Sequence, residues 1–384
     1  MTHAIYPTLF SPMKIGRREM KNRIAQAPMS VCYADGNGVP TPAMAEHYGR
    51  RAQGGAGMVI TENLAISVSG RQMPLQPMLK DDSHLDAFAH VAGEIRRHGA
   101  LAIAQIVHAG RYAGPWTEYE KARRLAPSPV PFELLPGKTV TPAEITEDEI
   151  EQALSDFANT ARLAEKAGFD GVELHGAQGF LVSSFFSPVM NRRKDGWGGS
   201  FENRTRFALE AVRRIRAAVG RDFIVGIQLM SDELRPGGWS LDEATSLIPR
   251  LEEAGIDFAV PVVSTFETLK TPENAGLFAR PTFQHEEVRA IRRFATVPIF
   301  TNGGIRDPRV AEDLVARGDA DGVALARPLF SDPDWPEKVR EGRVCELRFC
   351  DCTEATCLRT QLTGSRCESW PKAATDAGYF GYQA

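Results

Sequence analysis

The chain contains 384 residues, of which 43% are hydrophobic, and carries a formal net charge of −4. A chain of this size can bury one large core, and an acidic balance without a Lys/Arg cluster argues against nucleic acid or an anionic membrane as a partner. No apolar run approaches the roughly 20 residues that span a bilayer, and no charged leader precedes an apolar segment at the N-terminus, so we expect a cytoplasmic protein.

Apolar runs typical of buried strands alternate along the chain with amphipathic segments of helical period. The predicted strands are 23–29, 57–63, 101–108, 171–175, 223–229, 257–263, 298–302 and 321–326. The predicted helices are 85–98, 147–167, 201–219, 241–254, 284–294 and 308–317. These repeated units favour an α/β fold with parallel strands closed into a (β/α)8 TIM barrel. A doubly wound fold is disfavoured, because no Gly-x-Gly-x-x-Gly follows the first strand.

The barrel is predicted to occupy residues 1–340, followed by a short Cys-rich extension over residues 341–384. The first 20 residues are typical of an added hairpin that caps the barrel floor. The Pro-rich stretch 112–146 follows the third strand and is expected to cover part of the active site, since long loops are often functional.

Residues 171–207 combine a buried strand, a histidine at its end and a long polar loop. Side chains at the carboxyl ends of barrel strands face the reaction, so His175 is a candidate catalytic residue; the alternative is a histidine of the core. The polar residues of the loop favour a salt-bridged lattice that shapes it rather than a binding role. These residues are Asn191, Arg192, Asp195, Glu202, Asn203 and Arg204.

Two neighbouring strand ends predict a phosphate site. Asn302, Gly303 and Gly304 follow the seventh strand, and Ala326 and Arg327 follow the eighth. Barrel enzymes often bind phosphate between these two loops through backbone N–H groups, and an arginine adds a fixed charge.

Several strand-end motifs occur in one order along the chain. They are Asn22-Arg23, Ala27-Pro28-Met29, Gln105, His108-Ala109-Gly110-Arg111, His175, the loop from Asn191 to Phe207, Gly303-Gly304 and Arg327-Pro328. Together they resemble the old yellow enzyme family, in its branch near 2,4-dienoyl-CoA reductase and trimethylamine dehydrogenase. The resemblance runs from residue 5 to residue 345.

This resemblance implies an enzyme that holds FMN and transfers hydride from NADH or NADPH, through the flavin, to a small organic substrate. It implies that the FMN phosphate lies near Gly303, Gly304 and Arg327. The other residues implied to bind FMN are Ala27, Pro28, Met29, Ser30, Glu62, Asn63, Gln105, Gln228, Asn302 and Ala326.

Three positions depart from the family pattern. Gln178 stands where family members carry His or Asn to grip the substrate carbonyl together with His175. Phe180 replaces the tyrosine that donates a proton to the substrate, which predicts a poor ene-reductase unless another donor serves; we rank Tyr33 first for that role. Gln228 replaces an arginine near the flavin pyrimidine, so a neutral amide stands in for a cation.

Five of the six cysteines lie near the C-terminus, which in a cytosolic chain indicates metal or redox chemistry. In the branch that the chain resembles, four cysteines beyond the barrel hold a [4Fe-4S] cluster. The spacing here, Cys350-x1-Cys352-x4-Cys357-x9-Cys367, differs from that pattern. We predict these four cysteines as metal ligands, with [4Fe-4S] ahead of zinc. The alternative is a set of buried or reactive thiols.

The leading hypothesis is therefore an FMN-dependent oxidoreductase. Alternatives are an FMN-dependent dehydrogenase or oxidative demethylase, a flavin-free lyase or isomerase that binds a phosphorylated ligand, and a barrel that serves as an electron-transfer subunit. The expected partners are a small-molecule substrate, a separate electron-transfer protein and a second copy of this chain.

Overall fold

The computed structural model of the protein describes residues 5–114, 123–135, 137–277, 279–350 and 356–370. Its strands are Met13–Ile15 (β1), Arg18–Met20 (β2), Ile24–Gln26 (β3), Met58–Ile60 (β4), Leu64–Ala65 (β5), Leu101–Val107 (β6), Leu125–Ala126 (β7), Phe132–Leu135 (β8), Lys138–Val140 (β9), Ala143–Glu144 (β10), Gly171–Gly176 (β11), Ile224–Asp232 (β12), Phe258–Val263 (β13), Phe300–Thr301 (β14) and Gly322–Leu325 (β15). Its helices are Pro42–Gln53 (α1), Leu85–Arg96 (α2), Glu147–Lys166 (α3), Leu181–Phe186 (α4), Phe201–Ala218 (α5), Leu241–Ala254 (α6), Pro272–Ala275 (α7), His285–Arg292 (α8), Pro308–Ala316 (α9), Arg327–Ser331 (α10), Trp335–Arg340 (α11) and Thr356–Arg359 (α12).

Eight parallel strands form one sheet in the order β13-β12-β11-β6-β4-β3-β15-β14, with the short β5 paired beside β6. A parallel bridge between Ala259 and Ile299 joins the two ends of this order and closes the barrel. The predicted (β/α)8 barrel is confirmed. Because all eight strands run the same way, their carboxyl ends and the loops that follow them lie at one rim.

Every predicted strand and helix overlaps an observed one. The sequence pattern does not predict α1, because its buried face includes polar side chains. His47 and Arg51 are both about 1% exposed, and the Arg51 guanidinium donates to the His47 carbonyl oxygen at 2.8 Å. A hydropathy pattern counts such residues as solvent-facing, which hides the helical period.

The N-terminal hairpin closes the end of the barrel opposite the active rim. Strands β1 and β2 pair antiparallel, and the side chains of Met13, Ile15 and Met20 are buried. They pack in one cluster with residues from the amino ends of barrel strands, among them Met58 and Phe258. The predicted floor cap is therefore present, and the active site is expected at the opposite rim, where the strands end.

The stretch after β6 returns to the barrel through two small sheets. Strand β7 pairs parallel with β10, and β8 forms a hairpin with β9. Residues 115–122 and 136 of this predicted excursion lie outside the described residues. Across the described ranges, no helix is both long enough and apolar enough to cross a membrane.

Truncation of the floor cap tests its contribution to stability. Met20→Ala should lower the free energy of unfolding by about 2–5 kcal/mol, because it removes a fully buried side chain and leaves a cavity. Urea unfolding followed by tryptophan fluorescence measures the change. Glu19→Ala, at an exposed position of the same strand, should change it by less than about 0.5 kcal/mol. Equal losses in the two variants would contradict the account.

Candidate active site

Two adjoining cavities open at the carboxyl ends of the barrel strands. The first, of about 380 Å³, includes the loops after β14 and β15 and is called the glycine cavity. The second, of about 400 Å³, includes His175 and is called the histidine cavity. Pro28, Gln178 and Gln228 line both, so the two form one continuous site.

The glycine cavity has a backbone wall that side chains could not replace. Gly303 and Gly304 have φ of 87° and 74°, and a Cβ on Gly304 would lie 2.7 Å from the Arg280 carbonyl oxygen. Only glycine adopts this conformation at low cost. The Asn302 side chain supports the loop by donating from Nδ2 to the Pro261 carbonyl oxygen at 2.9 Å.

Two arginines give the glycine cavity a positive charge. Arg306 and Arg327 both line it and are exposed, and within the described ranges neither guanidinium forms a hydrogen bond or an ion pair with another residue. Arg309, nearby in the chain, is instead paired with Asp307 at 2.7 Å. Positive-φ glycines beside two uncommitted guanidinium groups form a site suited to a phosphate. Sequence reasoning missed Arg306, although it stands two residues after Gly304.

His175 is the penultimate residue of strand β11, lines the histidine cavity and is 3% exposed. Burial lowers its pKa to about 3, and a hydrogen bond with Gln178 works in the opposite direction. The backbone N–H of Ala177 lies 3.4 Å from Nδ1 and donates to it. The imidazole is therefore neutral at pH 7 with its proton on Nε2, because Nδ1 accepts from the backbone.

Gln105 and Glu173 form a buried pair on adjacent strands of the barrel. Gln105 Nε2 donates to Glu173 Oε2 at 2.7 Å, and Gln105 also lines the histidine cavity. Burial raises the pKa of Glu173 to about 8, because its charged form lacks solvation. With one amide hydrogen bonded to Glu173, Gln105 keeps its carbonyl oxygen and a second N–H.

An aromatic cluster forms the wall beside His175, and it consists of Tyr112, Phe132, Phe180 and Phe266. The ring of Phe180 lies 4.6 Å from that of His175 and 5.4 Å from that of Phe266, measured between centroids. The Tyr112 hydroxyl donates to the Glu267 carboxylate. Phe180 thus lines the histidine cavity with an apolar ring.

The structure brings nearly all the predicted FMN-binding residues to the two cavities. Those that line one or both are Ala27, Pro28, Met29, Ser30, Asn63, Gln105, Gln228, Asn302, Gly303, Gly304, Ala326 and Arg327. Glu62 is the exception. It is fully buried, and its Oε2 accepts from the backbone N–H groups of Val31 and Cys32 at 3.1 and 2.8 Å. Its role is to hold the loop after β3.

The structure does not place Tyr33 at the cavities. Its hydroxyl donates to the Ser365 carbonyl oxygen, its side chain is 1% exposed, and burial raises its pKa above the ordinary value. A hydroxyl held in this way is a tether for the C-terminal segment. The prediction that Tyr33 replaces the missing proton donor therefore lacks structural support.

The polar loop after α4 has a structural role, as its favoured interpretation predicts. Asn191 Nδ2 donates to the carbonyl oxygens of Phe185 and Trp197 at 2.9 and 2.8 Å. The Arg204 guanidinium bonds to the Phe186 carbonyl oxygen and lies 2.5 Å from Glu243. None of these side chains is among the described lining of either cavity.

The predicted metal ligands are not assembled in the part of the chain that the structure describes. There, no group of three or more His, Cys, Asp or Glu side chains is arranged to hold a metal ion. Cys357 lines the histidine cavity, Cys367 is buried and Cys350 is half-buried. Cys352 lies outside the described residues.

Sequence comparison now decides the family. The family model described as NADH:flavin oxidoreductase / NADH oxidase matches residues 8–346. The chain belongs to this family. The match confirms the predicted family resemblance.

Individual relatives agree with that assignment. The chain is 37% identical to an NADH oxidase of Thermoanaerobacter brockii, over 99% of its own length and 58% of the relative. A 2-naphthoyl-CoA reductase in complex with 2-naphthoyl-CoA superposes with a TM-score of 0.89 and 28% identity, over 97% of this chain and 58% of that one. An old yellow enzyme homologue from Zymomonas mobilis gives a TM-score of 0.77 and 27% identity, over 98% and 100% of the two chains. The chain thus spans little more than half of the first two proteins.

The buried Glu173 predicts a measurable pH dependence of stability. Its pKa rises from 4.5 to about 8 on folding, so between these values the folded protein retains a proton that the unfolded chain has released. The free energy of unfolding therefore falls as pH rises through this window. Glu173→Gln, neutral at every pH, should make the fall shallower by up to about 1.4 kcal/mol per pH unit.

Urea unfolding at several values between pH 5 and pH 8 tests this expectation. The matched control is Glu19→Gln, at an exposed position of β2, which should leave the slope as it is in the wild type. A slope in Glu173→Gln equal to that of the wild type would show that Glu173 is already ionised in the folded protein.

Proposed function

We propose that this chain binds FMN across the two cavities and uses it to transfer hydride from a reduced nicotinamide to a small organic acceptor beside His175 and Gln178. The observation that carries the proposal is the continuity of a cationic cavity with a neutral, hydrogen-bonding one. A flavin mononucleotide has the same division, with a phosphate at one end and a polar ring at the other.

The residues present fit FMN at both ends. Gly303, Gly304, Arg306 and Arg327 would hold the phosphate, as the uncommitted guanidinium groups support. The Oε1 atom of Gln228 is buried without a hydrogen-bond partner, a deficit that a ring N–H or a bridging water would remove. When bound, FMN supplies the hydride chemistry, and the protein supplies position and electrostatics.

Gln228 places a neutral amide, rather than a cation, at its edge of the site. A hydrogen bond from a charged donor contributes about 1.5–3 kcal/mol, against about 1 kcal/mol for a neutral one. Negative charge on a ligand near Gln228 is therefore stabilised less than it would be by the family's arginine. We infer that the flavin of this protein is harder to reduce than that of relatives with the arginine.

His175 and Gln178 would hold the substrate by its polar oxygen. The Nε2–H of His175 can donate a neutral hydrogen bond, and the Gln178 amide can donate a second. Because its pKa is about 3, His175 carries no second proton to transfer at pH 7. Its contribution is orientation and polarisation of the substrate.

The apolar Phe180 limits reduction of an activated alkene. Hydride addition to an enone must be followed by a proton on the neighbouring carbon, and a phenyl ring has none to give. We infer that this proton comes slowly from water. The same observation supports a second candidate, FMN-dependent dehydrogenation or oxidative demethylation, because neither reaction needs a proton donated to carbon.

Removal of the two free guanidinium groups tests the placement of FMN. Arg306→Ala and Arg327→Ala should each raise the dissociation constant of FMN by about 10-fold or more, because each removes a charge-assisted contact to phosphate. Riboflavin, which has no phosphate, should bind both variants as it binds the wild type. Fluorescence titration of the apoprotein measures both ligands. Arg309→Ala is the control, because Arg309 is already paired with Asp307. Equal losses for FMN and riboflavin would place the phosphate elsewhere.

Introduction of a hydroxyl at residue 180 tests whether the missing proton donor limits the reduction of an enone. Phe180→Tyr should raise the rate of reduction of 2-cyclohexenone with NADH or NADPH by about 10²-fold, the lower end of general-acid effects. Phe180→Leu, which changes the ring without adding a proton, controls for altered packing. An unchanged rate in Phe180→Tyr would show that another donor already serves or that enone reduction is not the reaction.

A further inference from the structure

The C-terminal segment covers one side of the histidine cavity. Helix α12 and the turn after it contribute Cys357, Leu358 and Gln361 to the lining. They lie in the same lining as His175 and Gln178, the two residues assigned to hold the substrate. A segment far outside the barrel in sequence is therefore part of the candidate active site.

Hydrogen bonds fix this segment to the loop after β3. Gln361 Nε2 donates to the Ser30 carbonyl oxygen at 2.9 Å, and the Ser365 N–H donates to the Val31 carbonyl oxygen at 2.8 Å. The Tyr33 hydroxyl adds a third bond between these two parts of the chain by donating to the Ser365 carbonyl oxygen. Three bonds to one loop hold the turn in a defined place, since each bond restrains both partners.

Close packing strengthens the attachment. A Cβ on Gly364 would lie 3.2 Å from the Tyr33 ring, so the backbone passes close to that ring at a glycine. Further along, Trp370 Nε1 donates to the Phe330 carbonyl oxygen at 2.7 Å, and the two rings lie 4.8 Å apart. The segment is thus anchored to the loop after β3 at its cavity-lining turn and to helix α10 further along the chain.

The segment presents an apolar surface to the histidine cavity at Leu358. That side chain is 65% exposed, which leaves a large apolar area for a ligand to cover. Met73 and Phe266 also line the cavity, and no Asp, Glu, Lys or Arg is found among its described lining residues. With His175 neutral, the chemistry there suits an uncharged substrate with an apolar group.

We propose that the C-terminal segment is a wall of the substrate site and that Leu358 is a specificity-determining residue. It packs against an apolar substituent of an uncharged carbonyl substrate, while His175 and Gln178 hold the oxygen. This inference rests on the proposed function and extends it to a part of the chain beyond the barrel.

A pair of leucines in the segment provides a matched test. Leu358 lines the cavity, whereas Leu362 is 40% exposed and does not line it. The FMN-loaded protein is assayed with 2-cyclohexenone and with 4-phenyl-2-cyclohexenone, and the ratio of kcat/KM values gives the preference for the phenyl group. Leu358→Ala should lower this preference about 10-fold through lost apolar contact, and Leu362→Ala should leave it unchanged.

The outcomes separate this inference from the proposed function. If both variants show the same preference for the phenyl group and still reduce 2-cyclohexenone, the assignment of Leu358 to the substrate site is overturned and the proposed function stands. A weaker affinity of Leu358→Ala for FMN without a change in preference would also overturn that assignment, because the leucine would then contact the cofactor. Failure to bind FMN at all would overturn the proposed function first.

Labelling of a cysteine tests the proposed wall of the substrate site without catalytic turnover. N-ethylmaleimide labelling of oxidised, FMN-loaded protein is followed by mass spectrometry, with and without saturating 3-phenylcyclohexanone, which is not a thiol-reactive enone. The ketone should slow labelling of Cys357, which lines the cavity, by about 10-fold when 90% of sites are filled. Cys345, which is exposed, should react at the same rate in both samples. Ketone-independent labelling of Cys357, or none in either sample, would overturn the proposal.

Discussion

Parallel pairing of eight strands in a closed ring is the constraint on which the site depends. Closure leaves no free sheet edge, and parallel direction sends every strand's carboxyl end to the same rim. His175 from β11, Gln228 from β12 and the glycine loop after β14 are far apart in sequence and meet there for this reason. The N-terminal hairpin completes the arrangement by covering the opposite end with apolar side chains.

The second organising feature is the separation of charge within the continuous site. The histidine cavity is built from groups that burial keeps neutral at pH 7, with the pKa of His175 at about 3 and that of the nearby Glu173 at about 8. Full charges stand at the other end, on Arg306 and Arg327. A ligand with one anionic end is therefore oriented, because its charge is stabilised at only one end of the site.

The parts of the site that could be predicted from the sequence depend on local pattern. His175 and Gln105 were accessible because strand ends follow from hydropathy period, and Gly303 and Gly304 because a glycine pair after a strand is itself a signal. The role of Tyr33 could not be predicted in this way, because its hydroxyl bonds to Ser365, which lies 332 residues away in the sequence. The lining role of Leu358 likewise arises from long-range packing, which no spacing of residues encodes. The resemblance implies that Glu62 binds FMN, whereas its carboxylate bonds backbone N–H groups, and sequence alone cannot distinguish such a carboxylate from one that faces a ligand.

The most direct measurement is an anaerobic stopped-flow experiment on the FMN-loaded wild-type protein, with each half-reaction followed by flavin absorbance. The account predicts that NADH or NADPH bleaches the flavin band. It also predicts that 2-cyclohexenone restores the band more slowly than it was lost, because Phe180 supplies no proton. A protein that takes up no FMN, or one whose bound flavin is bleached by neither nicotinamide, would contradict the account.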